Sequence, residues 1–454
     1  MKNGVNKVDV LVGLQYGDEG KGKVINAIAE QYDVIARFQG GANSGHTVYD
    51  KDGNKAVFNV VPSGMIAAGV IGVITQGVVI NPLDFVSELN RLMSNKYMKD
   101  MLSRLVISKD VNITLPTHIL ADYCSEEARK RRGEAIIGST KRGNTPTYED
   151  RIARRGITIR DILNNGWDGR YLDIRNSHMQ VLSSRYNIPI GEMFSIELTG
   201  GKTISEYEAE WYAAAQEMRN GIIYTDNSAV YLNDCIKEGK RILLEAAQGA
   251  MLDVEYGTYP YVTSTRVTAP SAFAQCGIPA QLCGKVFGVM KPYITRVGQG
   301  FFPTHIKEDN KIDWPDAEHI VEMGHEYGSV TKRKRMIGWL DLPQLRYACD
   351  INGVTDIVLA KVDVVSGIDS INFCTSYVGE NTKEIHVYNG TADVVCNMQR
   401  IKSVGDVSSY DGGEDMPIDL KNLIDIINTA VSDTVTEPRV TFISTSPTKD
   451  LIAV

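Results

Sequence analysis

Apolar residues along this chain gather in short unbroken runs rather than in strict alternation. VDVLV (8–12), VIARF (34–38), GVIGVIT (69–75), RILLEAA (241–247), KVFGVM (285–290), DIVLAKVD (356–363) and RVTFIST (439–445) are each rich in Val and Ile and bounded by Gly, Asp or Asn. Runs without a polar face suit strands covered on both sides, as in a parallel sheet packed between helices. Helical patterns lie between several of them, over 83–93, over the charged stretch 125–132, and over 420–431, where Leu423, Ile426, Ile427 and Val431 repeat at helical spacing. The pattern predicts an α/β fold with a large, mostly parallel central β-sheet flanked by helices. The polar and aromatic stretch from about 165 to 230 reads as an irregular insertion. Because strands of the same character resume after it, residues 1–454 read as one elaborated α/β domain without internal repeats.

Composition narrows the function classes. At 43% hydrophobic and 23% charged residues the chain is an ordinary globular protein, and its formal net charge of -8 argues against a general affinity for nucleic acid or an anionic membrane. Any anionic ligand must then be held by local clusters. Seven cysteines, spread from Cys124 to Cys396 without a CxxC pair, give neither a disulfide framework nor a zinc site. The N-terminal residues lack the apolar core of a secretory signal, and no stretch of about 18 apolar residues occurs, so a cytoplasmic location is expected.

Three loops carry chemistry. GLQYGDEGKGKVI (13–25) follows a strand and precedes a helix, and its Gly20-Lys21 pair relates it to the P-loop of nucleotide-binding proteins. It departs from that pattern at Gln15, at Gly22 in place of the Mg²⁺-binding hydroxyl, and at Asp18 and Glu19, two acids where phosphates would lie. Such carboxylates serve as a general base or a Mg²⁺ ligand, or simply as the acids that a helix start favours. FQGGANSGHTV (38–48) is a glycine-flanked loop offering Asn43, Ser44, His46 and Thr47, and His46 is suited to hydrogen-bond a leaving phosphate oxygen. AKVD (360–363), at a strand end, is close to the [NT]-K-x-D element that reads guanine, with Ala360 in the first place.

Together and in this order these pieces resemble the adenylosuccinate synthetase family. YGDEGKGK (16–23) and GG-x-N-x-GHT (40–47) are followed by GST-x-RG-x-x-P-x-YED-x-x-ARRG (138–156), E-x-AQG-x-x-LD (245–253) and YGTYPYVTS (256–264). Then come TRVG-x-G-x-FPT (295–304), T-x-R-x-R-x-x-GWLD (331–341), K-x-D (361–363) and IST-x-P (443–447). The resemblance extends over essentially the whole chain. It departs from the usual pattern at Ala42 and Ser44, over Lys141–Pro146, at Val330 and at Ser446.

The resemblance implies a P-loop-NTPase-related fold and a reaction: GTP-dependent ligation of L-aspartate to IMP through a 6-phosphoryl-IMP intermediate, giving adenylosuccinate, GDP and phosphate, with Mg²⁺ required. It implies Asp18, His46, Lys21 and Gln248 as catalytic residues, Asp18 taking the N1 proton of IMP. GTP would be met by Gly17, Glu19, Gly20, Lys21, Gly22 and Lys23, by Gly45, His46 and Thr47, by Arg335, by Lys361 and Asp363 at guanine, and by Ser444 and Ser446. IMP would be met by Asp18, Asn43, Thr140, Gln248, Thr263, Val297 and Arg333, and by Arg154 reaching across a homodimer. Thr331 and Arg333 would hold the aspartate carboxylates, and Asp18 with the Gly45 carbonyl would hold Mg²⁺. Two alternatives stand beside it: a relative that aminates a guanine-type nucleotide such as GMP or dGMP, and a non-catalytic GTP-binding regulator. Retention of Asp18, which the guanine-type variants replace, and of His46 favours the first reading.

Overall fold

A computed structural model describes residues 7–454 except 195, 199–200, 329–333, 380–382, 391–393, 414 and 449. The seven apolar runs all become strands of one ten-stranded sheet. Its spatial order is Ile452–Ala453, Arg439–Ile443, Asp356–Leu359, Cys283–Met290, Val8–Gly13, Ile242–Glu245, Val34–Arg37, Ile71–Ile74, Leu105–Ser108 and Ile223–Thr225. Every neighbouring pair is parallel except at one edge, where Ile452–Ala453 runs antiparallel to Arg439–Ile443. The central strand, Val8–Gly13, is buried along nearly its whole length because helices cover both faces.

A second, five-stranded sheet is built from Tyr293–Arg296, Met336–Asp341, Ser370–Val378, Glu384–Ile385 and Val395–Lys402. Beside it Tyr16, Met251, Ile294, Cys374, Tyr377 and Tyr388 are buried in a cluster of their own. Among the described residues no helix is long and apolar enough to cross a membrane.

Three expectations need correction. DIVLAKVD is not one strand: it ends at Leu359, and Lys361 takes a left-handed conformation (φ 57°) that turns the chain into the short 3-10 helix Val362–Val365. The helix expected over 125–132 is the tail of a longer one, Pro116–Arg131, which carries the buried Ile119, Leu120 and Cys124 ahead of that stretch. The stretch 165–230 is not irregular. It holds the helices Trp167–Tyr186 and Ile204–Glu217, the latter opened by a capping box in which Thr203 and Glu206 satisfy each other's backbone, and it ends in a strand that joins the main sheet. Its aromatic residues are core. Trp211 is fully buried, lies against Trp167 and Tyr171, and donates its indole N–H to the Thr114 carbonyl at 2.9 Å.

Trp211→Ala should therefore lower stability by about 3–5 kcal/mol, the scale for a large aromatic removed from a core. Val181→Ala, at a 57% exposed position, should change it by less than about 0.5 kcal/mol. Urea unfolding followed by fluorescence would measure both; equal midpoints would mean that the 165–230 helices do not unfold with the core.

Candidate active site

Parallel strands end together, so the loops leaving their C-terminal ends converge on one edge of the sheet. Here the segments following Val8–Gly13, Val34–Arg37, Ile242–Glu245, Asp356–Leu359 and Arg439–Ile443 carry the candidate residues of the YGDEGKGK, GG-x-N-x-GHT, E-x-AQG-x-x-LD, K-x-D and IST-x-P motifs. Register places partners side by side: Leu11 lies opposite Glu245, and Glu245 opposite Arg37.

The first loop resolves the question of its two acids by sending them opposite ways. Glu19 turns inward and is fully buried; its Oε1 accepts the backbone N–H groups of Gln15 (3.2 Å) and Gly17 (2.7 Å), and its Oε2 meets Lys21 Nζ at 2.5 Å. Donors that a P-loop offers to phosphate are here committed to a carboxylate of the same loop. Glu19 and Lys21, both expected at the nucleotide, are thus paired with each other. Asp18 turns outward, exposed and left-handed (φ 59°) between Gly17 (φ 86°) and Gly20 (φ 96°). The helix Lys21–Ile28 starts immediately behind. Gly22 stands where a Cβ would come within 2.9 Å of His46, so the missing hydroxyl is a packing requirement between the first and second loops.

His46 opens the short strand His46–Tyr49 and is buried. Its Nδ1 lies 2.6 Å from Glu245 Oε1, which also receives Arg37 Nη1 at 3.1 Å and Ser63 Oγ at 2.9 Å, while Glu245 Oε2 takes the Ser63 backbone N–H at 2.9 Å. Burial works to raise the Glu245 pKa, but the His46 hydrogen bond and the Arg37 charge outweigh it and hold the carboxyl down to about 2. Burial keeps the His46 pKa below its ordinary value despite that carboxylate. The neutral ring therefore keeps its proton on Nδ1, toward Glu245, and presents Nε2 on its other side. Ser44, one of the departures from the family pattern, accepts Arg37 Nη2 at 2.9 Å and donates to the Asn59 carbonyl at 2.7 Å, anchoring the loop.

On the other side of the first loop, Lys23 Nζ donates to Ser444 Oγ and to the Ser446 carbonyl, and burial lowers its pKa to about 8 against the opposing charge of Asp363. Burial raises the Asp363 pKa. The Val362 N–H donates to the Ser444 carbonyl at 3.0 Å, so the K-x-D turn and the Ser444–Ser446 turn form one wall. Lys361 Nζ reaches Glu326 Oε1 at 2.7 Å, and Arg335 Nη2 reaches Asp18 Oδ2 at 2.8 Å.

The residues expected at IMP come from several loops. Gln248, left-handed (φ 57°), donates from Nε2 to Asn43 Oδ1 at 3.2 Å, and its Oε1 is buried without a partner. Thr140 sits half-buried in a loop tied down by Asp122, which takes Ser139 Oγ at 2.6 Å and the Gly143 N–H at 3.0 Å. A Cβ on Gly138 would come within 3.2 Å of Gly298, so this loop abuts the turn that exposes Val297. Thr263 is half-buried, and its neighbour Ser264 lies 2.5 Å from Thr145 across the gap. Arg154 is exposed and left-handed (φ 62°) just beyond the helix Asn144–Ile152. Thr331 and Arg333 lie outside the described residues, as does Val330.

The Asp18 carboxylate and the partly exposed Gly45 backbone offer hard oxygen donors of the kind Mg²⁺ prefers. A second set with ligand-like spacing, His118, Asp150 and His178, is of another kind. The Leu115 N–H donates to His118 Nδ1 at 3.0 Å, so the neutral ring carries its proton on Nε2 and gives it to Asp150 Oδ2 at 2.8 Å. No lone pair is left on Nε2 for a cation.

Reading the sequence assigned no role to Glu245, although it opens the E-x-AQG-x-x-LD motif, nor to Arg37, Glu326 and Lys291. For the first two a signal existed: each is a charged residue closing an otherwise apolar strand, and a charge is carried into a core only with a partner. Glu326 and Lys291 meet only in the tertiary structure.

Residues 10–453 match the family model described as adenylosuccinate synthetase. The adenylosuccinate synthetase of Flavobacterium psychrophilum is 40% identical over 431 residues, covering 93% of this chain and 95% of that protein. That of Christiangramia forsetii is 39% identical over 380 residues, 84% of each. The structure of a fully ligated adenylosuccinate synthetase from Plasmodium falciparum superposes with a TM-score of 0.84 at 29% identity, covering 99% of this chain and 100% of that one. A cyanophage S-2L succinoaminodeoxyadenylate synthetase, bound to dGMP and to dATP as energy donor, has a TM-score of 0.58 at 19% identity over 99% and 95% of the chains, a likeness of fold alone. With an α/β sheet whose converging loops carry the family's motifs, and with the match spanning 10–453, the chain belongs to the adenylosuccinate synthetase family.

Proposed function

We propose that this chain is a cytoplasmic ligase of purine biosynthesis that joins L-aspartate to IMP, consuming GTP and releasing adenylosuccinate, GDP and phosphate. The observation that carries the reading is the first loop, in which Glu19 takes the Gln15 and Gly17 N–H groups and the Lys21 ammonium while Asp18 is displayed outside it. An ordinary phosphate cradle has no use for that arrangement. A base facing a purine does.

Asp18 takes the N1 proton of IMP, so that O6 becomes the nucleophile and attacks the γ-phosphate of GTP. Phosphorylation converts O6 into a leaving group, and the aspartate amine then displaces phosphate at C6. His46 serves the departing GDP. Burial lowers the pKa of its ring, but phosphate charge and the Glu245 carboxylate behind it both favour the imidazolium, which donates from Nε2 to the β-γ bridge oxygen. Phosphoryl transfer needs this positioning more than covalent help. Mg²⁺ held by Asp18 and the Gly45 carbonyl would neutralise phosphate charge. Gln248 and Asn43, already bonded to each other, address the IMP base, with Thr140, Thr263, Val297 and Arg333 around the nucleotide. Thr331 and Arg333 take the aspartate. Guanine lies against Lys361, Asp363 and the Ser444–Ser446 turn, with Gly17, Gly20, Gly22, Lys23, Thr47 and Arg335 along the phosphates. Glu19 and Lys21 shape the loop from within and set how Asp18 is presented. Arg154 is proposed to reach the IMP phosphate of a second subunit; Ile152, 78% exposed two residues before it, gives that face an apolar contact to bury.

A steady-state absorbance assay with GTP, Mg²⁺ and aspartate tests the reading. Turnover is expected with IMP and not with GMP or dGMP; activity confined to a guanine nucleotide would reassign the substrate. Asp18→Asn should reduce kcat by at least about 10²-fold, the usual contribution of a general base, while GTP still binds with a similar Kd. An unaltered kcat would take Asp18 out of the chemistry. Mixing Asp18→Asn chains with Arg154→Leu chains should restore part of the activity that each lacks alone, because a hybrid dimer holds one site with both residues intact. If subunits exchange and no activity returns, Arg154 does not act across an interface.

A further inference from the structure

Glu326 belongs to no motif singled out in the sequence and has no part in the steps above. It follows the helix Trp314–Gly324 by two residues, and its carboxylate is fully buried. Oε1 receives Lys361 Nζ at 2.7 Å, Tyr293 OH at 2.7 Å and Lys291 Nζ at 3.3 Å, and Oε2 receives Arg335 Nη1. Burial works to raise its pKa, but Lys291, Lys361 and Arg335 overcome that and hold it well below the usual carboxylate range.

Neutralising one buried carboxylate requires one cation, and Lys291, itself fully buried, already supplies it. The other two cations serve other places. Lys361 belongs to the K-x-D turn, where its stem would cover the nucleotide base, and its ammonium is held from beneath by Glu326 and by the Gly324 carbonyl at 3.3 Å. Arg335 uses one end of its guanidinium on Glu326 and the other on Asp18 Oδ2 at 2.8 Å. The backbone strengthens this link, because the Arg335 N–H donates to the Glu326 carbonyl at 2.9 Å. A planar, bidentate group fixed at one end has little freedom at the other.

We propose that Glu326 is a positioning residue shared by the two halves of the site: it sets Lys361 against the nucleotide base and Arg335 against Asp18. The proposal rests on the reading above, in which Lys361 and Asp363 face guanine and Asp18 is the base. A buried acid that only maintained the fold would affect stability and the active fraction; this one governs which nucleotide is used.

The test compares Glu326→Gln, Glu326→Asp and Lys361→Met with the unchanged chain, measuring kcat and KM for GTP and for ATP together with thermal unfolding. Glu326→Gln is expected to lower kcat/KM for GTP by about tenfold or more, the scale of one lost charge-assisted hydrogen bond, and to narrow the preference for GTP over ATP. Should the Gln variant fail to fold, Glu326→Asp keeps the charge but withdraws it by one methylene, and the same narrowing is expected in a folded protein. Preference and kcat equal to those of the unchanged chain in a folded Glu326 variant would overturn the proposal, as would a loss of activity explained wholly by a lower folded fraction. Lys361→Met separates the two levels. If it narrows the GTP preference while the Glu326 variants do not, only the role of Glu326 is lost; if it leaves the preference unchanged, the base-site reading itself falls.

Discussion

A carboxylate that leaves water must be met by cations or N–H donors, or the fold cannot bear it. Three acids in this protein, Glu19, Glu245 and Glu326, are fully buried under the C-terminal edge of the sheet, and each meets that demand by gathering a different loop. Glu19 draws in the backbone of Gln15 and Gly17 with Lys21. Glu245 gathers Arg37, His46 and the Ser63 turn. Glu326 collects Lys291, Lys361 and Arg335. The exposed Asp18 is reached through this network, since Arg335 spans from Glu326 to its carboxylate.

That arrangement also bears on strained backbone at the sheet edge. Asp18, Gln248 and Lys361 are held left-handed without being glycine, each at a cost of about 1–3 kcal/mol. Such conformations last only where the surroundings over-determine them. Asp18 is flanked by glycines and tethered by Arg335, and Lys361 is held by Glu326 and Gly324, so the rigid sheet edge and the buried acids supply the constraint.

How much of this could be read in advance varied with the range of the forces involved. The runs VDVLV, VIARF and RILLEAA announced strands because a strand buried on both faces needs apolar residues at consecutive positions, and that demand is local. The 165–230 stretch misled because its aromatic residues, among them Trp167, Tyr171 and Trp211, look like surface decoration when read singly. They stack on one another only after the helices Trp167–Tyr186 and Ile204–Glu217 have packed. The site divides in the same way. YGDEGKGK and GHT marked their loops through glycine and through residue types with evident chemistry, yet nothing local distinguished Glu19, turned in, from Asp18, turned out.

By itself the sequence determined the α/β class, the strands of the parallel sheet and the loops that bear the chemistry, and through its motifs the family, since all of these follow from the order of neighbouring residues. The tertiary structure alone decided which carboxylates are buried among donors and which stay exposed. That choice depends on donors brought from far apart in the chain, as Glu245 is met by Arg37 and Glu326 by Lys291; a charge that closes an apolar strand signals that a partner exists, but no local pattern says which residue it is.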